Sequence, residues 1–390
     1  MRLRVLFLTC HLPFPPVSGG RRREFELLRR IGREVDVSVC AISKTYEEDR
    51  SNAGALAPYC TDVRVVPAEP ARASDVIPFQ VLRHRSRHVR RALRKARYDV
   101  IHVEGFYLMQ HLRHIEPGPT VLVEQNIEYQ LWEQRAAHAR GTAAWRHRRE
   151  AERTRVAEQE AWRTADVVAA LTEEDRAVIR ASGIDHVPLV PDGIARAQDH
   201  LAPTVEGSRP VVTFIGNFAY EPNVDAAQHF VKRVLPRLVH SVPDVHVMLV
   251  GNAPSMAVRA LAGRHVTVTG RVPDVGEYLQ AATVVVCPLR VGGGVKVKML
   301  EALAYSKAIV STSVGTQGLG PGVHEAVVEA DDPVPMAAAI AELLRDPQRR
   351  RSLEAAAGAH AATLPTWEDA AEALVGCYRL AATGRQPLDA

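Results

Sequence analysis

The chain has 390 residues and little cysteine, few aromatics and no long apolar run. Its five cysteines, Cys10, Cys40, Cys60, Cys287 and Cys377, are scattered and form no C-x-x-C pair. That argues against a disulfide framework or a cysteine-based zinc site and favours a reducing, cytoplasmic setting. Sixteen histidines offer no H-E-x-x-H pattern. The pair His84 and His88 sits among arginines that would repel a cation, so no metal is expected. No apolar stretch nears the ~20 residues that cross a bilayer. The apolar segment 5–10 is shorter than the ~7–15 residue core of a signal peptide and reads as a first β-strand.

Acid is missing from one place in particular. Residues 81–97 carry Arg83, Arg85, Arg87, Arg90, Arg91, Arg94, Lys95 and Arg97 without a single Asp or Glu, although the whole chain is only +4. The remaining residues are therefore net acidic, and a uniformly basic, nucleic-acid-binding coat is not indicated. Leu82, Val89, Leu93 and Ala96 mark one apolar side, so the stretch is expected to be an amphipathic helix. Such a helix either presents a solvated face or lies on anionic lipid, where each surface cation contributes about 1 kcal/mol. The stretch 81–97 is therefore a candidate for peripheral contact with an anionic membrane.

What the chain does have is an ordinary globular composition, 46% hydrophobic and 24% charged, which excludes a disordered chain, a collagen-like fibre and a coiled coil. At roughly 100–200 residues per domain it holds two or three domains. Short β-branched runs at 4–10, 35–41, 62–67, 99–103, 120–124, 166–171 and 187–190 are separated mostly by helical segments. Runs at 210–215, 245–251, 266–270, 284–288, 308–312 and 326–329 repeat the pattern. They are too apolar for a one-sided sheet, which predicts two doubly wound, Rossmann-like parallel-sheet domains facing a cleft. Periodicity stops at Pro191-Asp192-Gly193 and the polar stretch to Pro210, so the domains are expected at 1–195 and 196–365, with 366–390 a final helix. Helices are expected at 334–344, 347–362 and 367–380. Ligands in such sheets lie at the carboxyl ends of the strands.

One such end carries the sharpest chemical signal. After the strand at 284–288 come Gly292, Gly293, Gly294 and Val295, then Lys296, and a helix expected to begin near Val297 with Lys298 and Glu301 in its first turns. Glycines let backbone N–H groups approach a ligand closely, and a helix start adds free N–H groups and partial positive charge suited to phosphate. Two lysines add full charges. Neither G-x-x-x-x-G-K-[ST] nor G-x-G-x-x-G is present.

The stretch Phe214-Ile-Gly-Asn-Phe-Ala-Tyr-Glu-Pro-Asn-Val-Asp225, with Val268-Thr-Gly-Arg-Val272, the glycine–lysine segment and Val310-Ser-Thr-Ser-Val-Gly-Thr-Gln-Gly318, resembles the donor domain of family 4 retaining glycosyltransferases of GT-B architecture. Pro191-Asp192-Gly193 resembles the family's interdomain Pro-Asn-Gly with Asp for Asn, and Trp367 with the last helix resembles the segment that crosses back to the first domain. The resemblance implies an acceptor-binding first domain and a nucleotide-sugar donor domain. It implies that Gly216, Asn217, Arg271, Val272 and residues Gly292–Val295 approach the donor, and that Glu301, the second glutamate of the E-x7-E motif, binds its ribose. Gly293 stands where the first glutamate would be, and Gly216-Asn217 replaces an Arg and Lys, so diphosphate binding is expected to rest on Lys296, Lys298 and the helix start. Ser306 and Ala308 replace a Gly and Pro.

In the first domain Gly19 and Gly20 resemble the family's first glycine-rich loop, with Arg21 or Arg23 as phosphate or acceptor contacts. Glu124-Gln-Asn-Ile-Glu128 resembles a Glu-His-Asn-x-Glu acceptor pattern in which Gln125 replaces a histidine. Asn126 and Glu128 are acceptor candidates, as are His102 and Glu104 at another strand end, although His102 reads equally as a core histidine. The segment 145–163 is expected to be a long solvent-exposed helix with Glu150–Arg153 and Glu152–Arg155 pairs, and Trp132, Trp145 and Trp162 to be acceptor-pocket or core residues. The expected function is retaining, metal- and cofactor-independent transfer of a hexose, by default from a UDP-hexose, to a hydroxyl of a saccharide, lipid-linked or secondary-metabolite acceptor. A nucleotide-sugar epimerase or hydrolase and a non-catalytic polyanion- or membrane-binding protein are the alternatives.

Overall fold

The computed structural model of the protein describes residues 2–71, 74, 76–93, 96–195 and 209–384. Arg94 and Lys95 of the basic stretch, the linker 196–208 and the chain beyond 384 lie outside these residues. Two compact units form: one comprises the chain up to Pro16, Gly20–Asp192 and the segment from Trp367 onward, the other Val17–Gly19 and Gly193–Thr366.

The first unit is built on β1 (Arg4–Thr9), β2 (Asp36–Ser43), β3 (Asp62–Pro67), β4 (Val100–Glu104), β5 (Thr120–Glu124) and β6 (Val167–Ala170). They pair in parallel in the order β3-β2-β1-β4-β5-β6. β1 shows why: five consecutive residues after Arg4 are buried. Because side chains alternate across a strand, Val5 and Phe7 enter one core with Leu27, Leu374 and Tyr378, while Leu6 and Leu8 enter another with Phe106 and Trp162. The helix Trp367–Thr383 is thus part of this unit's core.

The second unit has β7 (Val211–Ile215), β8 (His246–Val250), β9 (Val266–Gly270), β10 (Val284–Cys287), β11 (Ile309–Ser311) and β12 (Val328–Glu329). They are again parallel, in the order β12-β11-β10-β7-β8-β9. In both sheets strand order reverses beside the first strand of the unit, between β1 and β4 and between β7 and β10. Those reversals open a crevice at the carboxyl edge of each sheet.

Three expectations need correction. Residues 187–190 form only a bridge, Leu189 to Ala170, because Pro188 and Pro191 remove the donors that a strand requires. The basic stretch is not one helix but two short ones, Phe79–Arg83 and Val89–Ala92. Leu82, Val89 and Leu93 are buried as expected, but Glu69 draws the chain between them out of helical geometry: its N–H donates to Arg85 O and its carboxylate accepts from Arg87 N–H. The 145–163 segment lies within the helix Gly141–Thr164 and makes both expected ion pairs. It is not an exposed arm, for it buries Glu150, Thr154, Glu158 and Trp162.

Candidate functional site

In the second unit, the β7 and β10 ends flank the reversal. β7 runs into Gly216-Asn217, β8 into Gly251. Gly251 has φ +145°, and a Cβ there would fall 1.9 Å from Gly216 O, so these two strand ends meet backbone to backbone. β10 ends at Pro288 and continues through Gly292, Gly293 and Gly294 (φ +57°) into the helix Val297–Ala304, for which Lys296 is the N-cap residue.

Both lysines turn into the unit. Lys296 Nζ donates to Gly294 O at 2.6 Å and to Gln317 Oε1 at 3.2 Å, and the residue is 7% exposed. Lys298 Nζ donates to Asn223 Oδ1 at 2.6 Å and stands 4.7 Å from the centroid of the Phe214 ring. Asn223 in turn donates to Asn217 O at 2.8 Å, tying the β7 end to the cation. Burial lowers the Lys298 pKa, against the raising influence of Cys287 and Glu301. A cation desolvated in this way gains from any anion brought beside it. Glu301 is half-buried one turn into the same helix; Arg271 is exposed and Val272 and Val295 half-buried.

Asn223 and Gln317 are site residues that the sequence reading did not single out. Asn223 lies in the first turn of the helix Glu221–His229 and Gln317 precedes the positive-φ Gly318 after β11. A polar amide beside a strand end was the available signal. Arg290 pairs with Asp225 through two hydrogen bonds and stiffens the segment after β10.

In the first unit, the β1 and β4 ends carry a buried polar cluster. Glu24, on the helix Gly19–Ile31, accepts from Thr9 Oγ1 at 2.7 Å and from Gln125 Nε2 at 3.3 Å. His11 Nε2 lies 3.0 Å from Glu24 Oε1. Gln125 Nε2 also donates to Glu104 Oε2 at 2.9 Å, and Gly20 packs beside His11 and Gln125. Burial lowers the His11 pKa, but the charges of Glu24 and Cys10 outweigh it, and the imidazole is raised to about 10. Glu104 is held below its usual value although burial opposes this, because His102 and Arg23 favour its charged form.

Gln125, Glu104 and Gly20 are therefore brought together with His11, Glu24 and Cys10. Four other candidates are engaged structurally. His102 is fully buried, stacked on Phe7 at 4.1 Å, with Nε2 3.0 Å from Glu104 Oε1 and Nδ1 3.0 Å from the Tyr378 hydroxyl. An ionised carboxylate only accepts, so Nε2 carries the proton and Nδ1 accepts from Tyr378. Arg23 is 1% exposed and spans Val190 O, Pro191 O and Asp192 Oδ1. Arg21 pairs with Asp49 at 2.9 Å. Glu128 accepts from Gln80 at 3.1 Å, and burial raises its pKa. Asn126 is half-buried after β5, and Gly19 opens its helix. Of the tryptophans, Trp162 is core and donates to Glu124 Oε1 at 3.0 Å, Trp132 is half-buried, and Trp145 is 56% exposed.

Two parallel six-stranded sheets, each covered by helices and each with its polar groups at the carboxyl edge, define the GT-B class of fold. Solved structures of that class match the chain throughout. Sucrose-phosphate synthase from Thermosynechococcus elongatus superposes with a TM-score of 0.71 at 19% identity, covering 98% of this chain and 100% of that one. Anabaena HepE in complex with UDP and glucose gives 0.68 at 16%, covering 96% and 99%. Residues 209–346 match the family model of glycosyl transferases group 1. Residues 209–346 are thus similar to group 1 glycosyl transferases, and the whole chain has the fold of the GT-B structures.

Among curated proteins, it is 30% identical over 182 residues to the phosphatidyl-myo-inositol mannosyltransferase of Mycolicibacterium smegmatis, covering 44% of this chain and 46% of that protein. It is 29% identical over 134 residues to an uncharacterised 44.6 kDa protein of the Klebsiella pneumoniae cps region, covering 32% and 34%. The chain thus spans less than half the length of these relatives. Among the described residues no helix is long and apolar enough to cross a membrane.

Proposed function

We propose that the protein transfers a hexosyl group, with retention of anomeric configuration, from a nucleotide-diphosphate sugar to a hydroxyl acceptor. UDP-hexose is the proposed donor, and the second unit is its proposed site. The observation that carries this reading is the paired-lysine cradle. Lys296 and Lys298 are both drawn inward at the start of the helix Val297–Ala304, beside a glycine segment at a sheet reversal. Breaking the anomeric C–O bond leaves negative charge on the departing diphosphate. Ammonium groups and backbone N–H groups already fixed in place stabilise that charge without reorganising. No resident metal is invoked for the proposed step.

The family match over residues 209–346 supports a nucleotide-sugar site in this unit, as do structures of HepE solved with UDP and with UDP-glucose. The acceptor is proposed to meet the first unit at Gln125, Glu104 and Asn126, and to be a saccharide, a lipid-linked saccharide or a secondary metabolite. Contact of the basic segment with anionic membrane remains part of the proposal for a lipid-linked acceptor. Exposed Arg87, Arg90, Arg91 and Arg97 support it.

The test is turnover of UDP-hexose with a panel of hydroxyl acceptors. Lys296→Ala and Lys298→Ala are each expected to lower kcat by about 10²–10³ while circular dichroism stays unchanged, the loss typical of removing one such donor. Wild-type turnover in both variants would refute the assignment. Epimer or free sugar as the main product would favour the epimerase or hydrolase instead.

A further inference from the structure

Four of the five thiols are quiet. Burial pushes Cys40, Cys60 and Cys377 up to about 12 and raises Cys287 as well. Cys10 moves the other way. Burial raises it, but His11 and then His84 outweigh burial and hold the thiol well below its ordinary value.

The geometry gives the reason. Cys10 follows β1 at the carboxyl edge and is only partly buried. Its Sγ lies 3.3 Å from His11 Nδ1 and accepts from the Tyr107 hydroxyl at 3.6 Å. His11 Nε2 faces Glu24 Oε1 at 3.0 Å, and Thr9 and Gln125 fix Glu24 in turn. Sulfur, imidazole and carboxylate therefore form a line in which the carboxylate sustains the imidazolium and the imidazolium sustains a thiolate.

A second histidine closes the site from another element. His84 is 3% exposed and stacks on Tyr107 at 4.2 Å. Its Nδ1 lies 2.7 Å from Gln80 O; a carbonyl only accepts, so Nδ1 carries the proton. Nε2 has no other hydrogen-bond partner and is turned toward Cys10, so it lowers the thiol only when it carries a proton to donate to the sulfur. The other charged groups acting on the thiol or its imidazole are Lys44, after β2, and Glu128, at the start of the helix Glu128–His138.

We propose that Cys10, set by His11 and Glu24, is a reactive thiolate and the site at which a small-molecule disulfide modifies this protein by thiol–disulfide exchange. The Cys10 sulfur attacks one sulfur of the reagent and forms a new S–S bond. The reagent's own S–S bond breaks, and its electron pair leaves on the departing thiolate, which takes a proton from water. The Cys10 sulfur rises from the thiolate to the disulfide oxidation level while the departing sulfur falls from the disulfide to the thiolate level, a change of one at each, and a dithiol reverses the step. The mixed disulfide does not depend on glycosyl transfer for its formation or its detection.

The experiment follows dithiodipyridine reaction with the full-length protein from about pH 5 to 9, with the adduct located by peptide mass spectrometry. One equivalent is expected to react at Cys10 about tenfold or more faster than an ordinary thiol at about pH 6, with a rate nearly flat up to about pH 8. Cys10→Ser should remove this fast equivalent. His11→Gln should slow it about tenfold at low pH and restore the ordinary climb with pH. Glu24→Gln, which leaves the imidazole in place, should give a smaller slowing in the same direction and serves if His11→Gln does not fold. A fast equivalent mapped to Cys60, or a Cys10 rate that rises only through the ordinary thiol range, would overturn the proposal. So would profiles unchanged in both variants.

Discussion

Single residues explain where this chain departs from the pattern of the family it resembles. Asp192 stands where the resemblance leads one to expect Asn, and the reason is Arg23: a guanidinium 1% exposed needs a counter-charge, and Asp192 Oδ1 lies 2.8 Å away. Burial raises the Asp192 pKa and Arg23 opposes that rise. Ser306, in place of a glycine, carries a cost. Its φ is +48°, in the left-handed region that L-residues other than Asn and Asp rarely occupy. Ser306→Gly is expected to stabilise the protein by about 1 kcal/mol and to raise the melting temperature by a few degrees. A differential scanning calorimetry trace with no rise would show that the Ser306 hydroxyl compensates for the strain. Gln125 shows the limit of reading one residue at a time. It cannot titrate, but it donates to Glu24 and Glu104 together, which keeps two buried carboxyl groups in register beside a titratable His11.

At the scale of elements, a single side chain holds the start of the helix Glu128–His138. Glu158, on the long helix Gly141–Thr164, accepts the N–H groups of Glu128 and Tyr129 at 2.9 and 3.1 Å through its two oxygens. The cap comes from a neighbouring helix rather than from the preceding residue, Ile127, which has no side chain able to cap. Glu158→Ala should leave both N–H groups without acceptors and cost about 1–3 kcal/mol, read as a lower urea midpoint at unchanged slope. Retention of the wild-type midpoint would mean that water replaces the carboxylate. The basic stretch makes the same point in reverse. Its apolar spacing marked the buried side correctly, and Glu69 decided against a continuous helix by engaging Arg85 O and Arg87 N–H. Proline did the same for residues 187–190.

For the whole molecule, the scattered cysteines predict how stability responds to alkali. Cys40 and Cys377 are buried and Cys60 partly so, each with a pKa of about 12 in the folded chain. An unfolded thiol ionises near its ordinary value of 9.0. Between those values the unfolded chain gives up protons that the folded chain keeps, so stability falls as pH rises from about 9 toward 12. Melting temperatures measured across that window are expected to fall steadily. Cys377→Ala, with a lower starting point from its cavity, should give a shallower slope. An identical slope would exclude this thiol as a source of the effect.

Much of this was present in the order of residues. The alternation of apolar runs and amphipathic segments specified two parallel sheets, because a strand buried on both faces can tolerate little else. The glycine–lysine segment announced a helix start with cations at a strand end, and Val297–Ala304 begins where expected. Side-chain partners were decided by the tertiary structure. Lys298 finds Asn223 and Phe214, Lys296 finds Gln317, His102 finds Tyr378, and His84 reaches Cys10, each across a separation at which sequence spacing carries no geometric information. The sequence determines local periodicity and the positions of turns. Only packing decides which polar groups are shut away from water together, and their pKa values and reactivity depend on that enclosure.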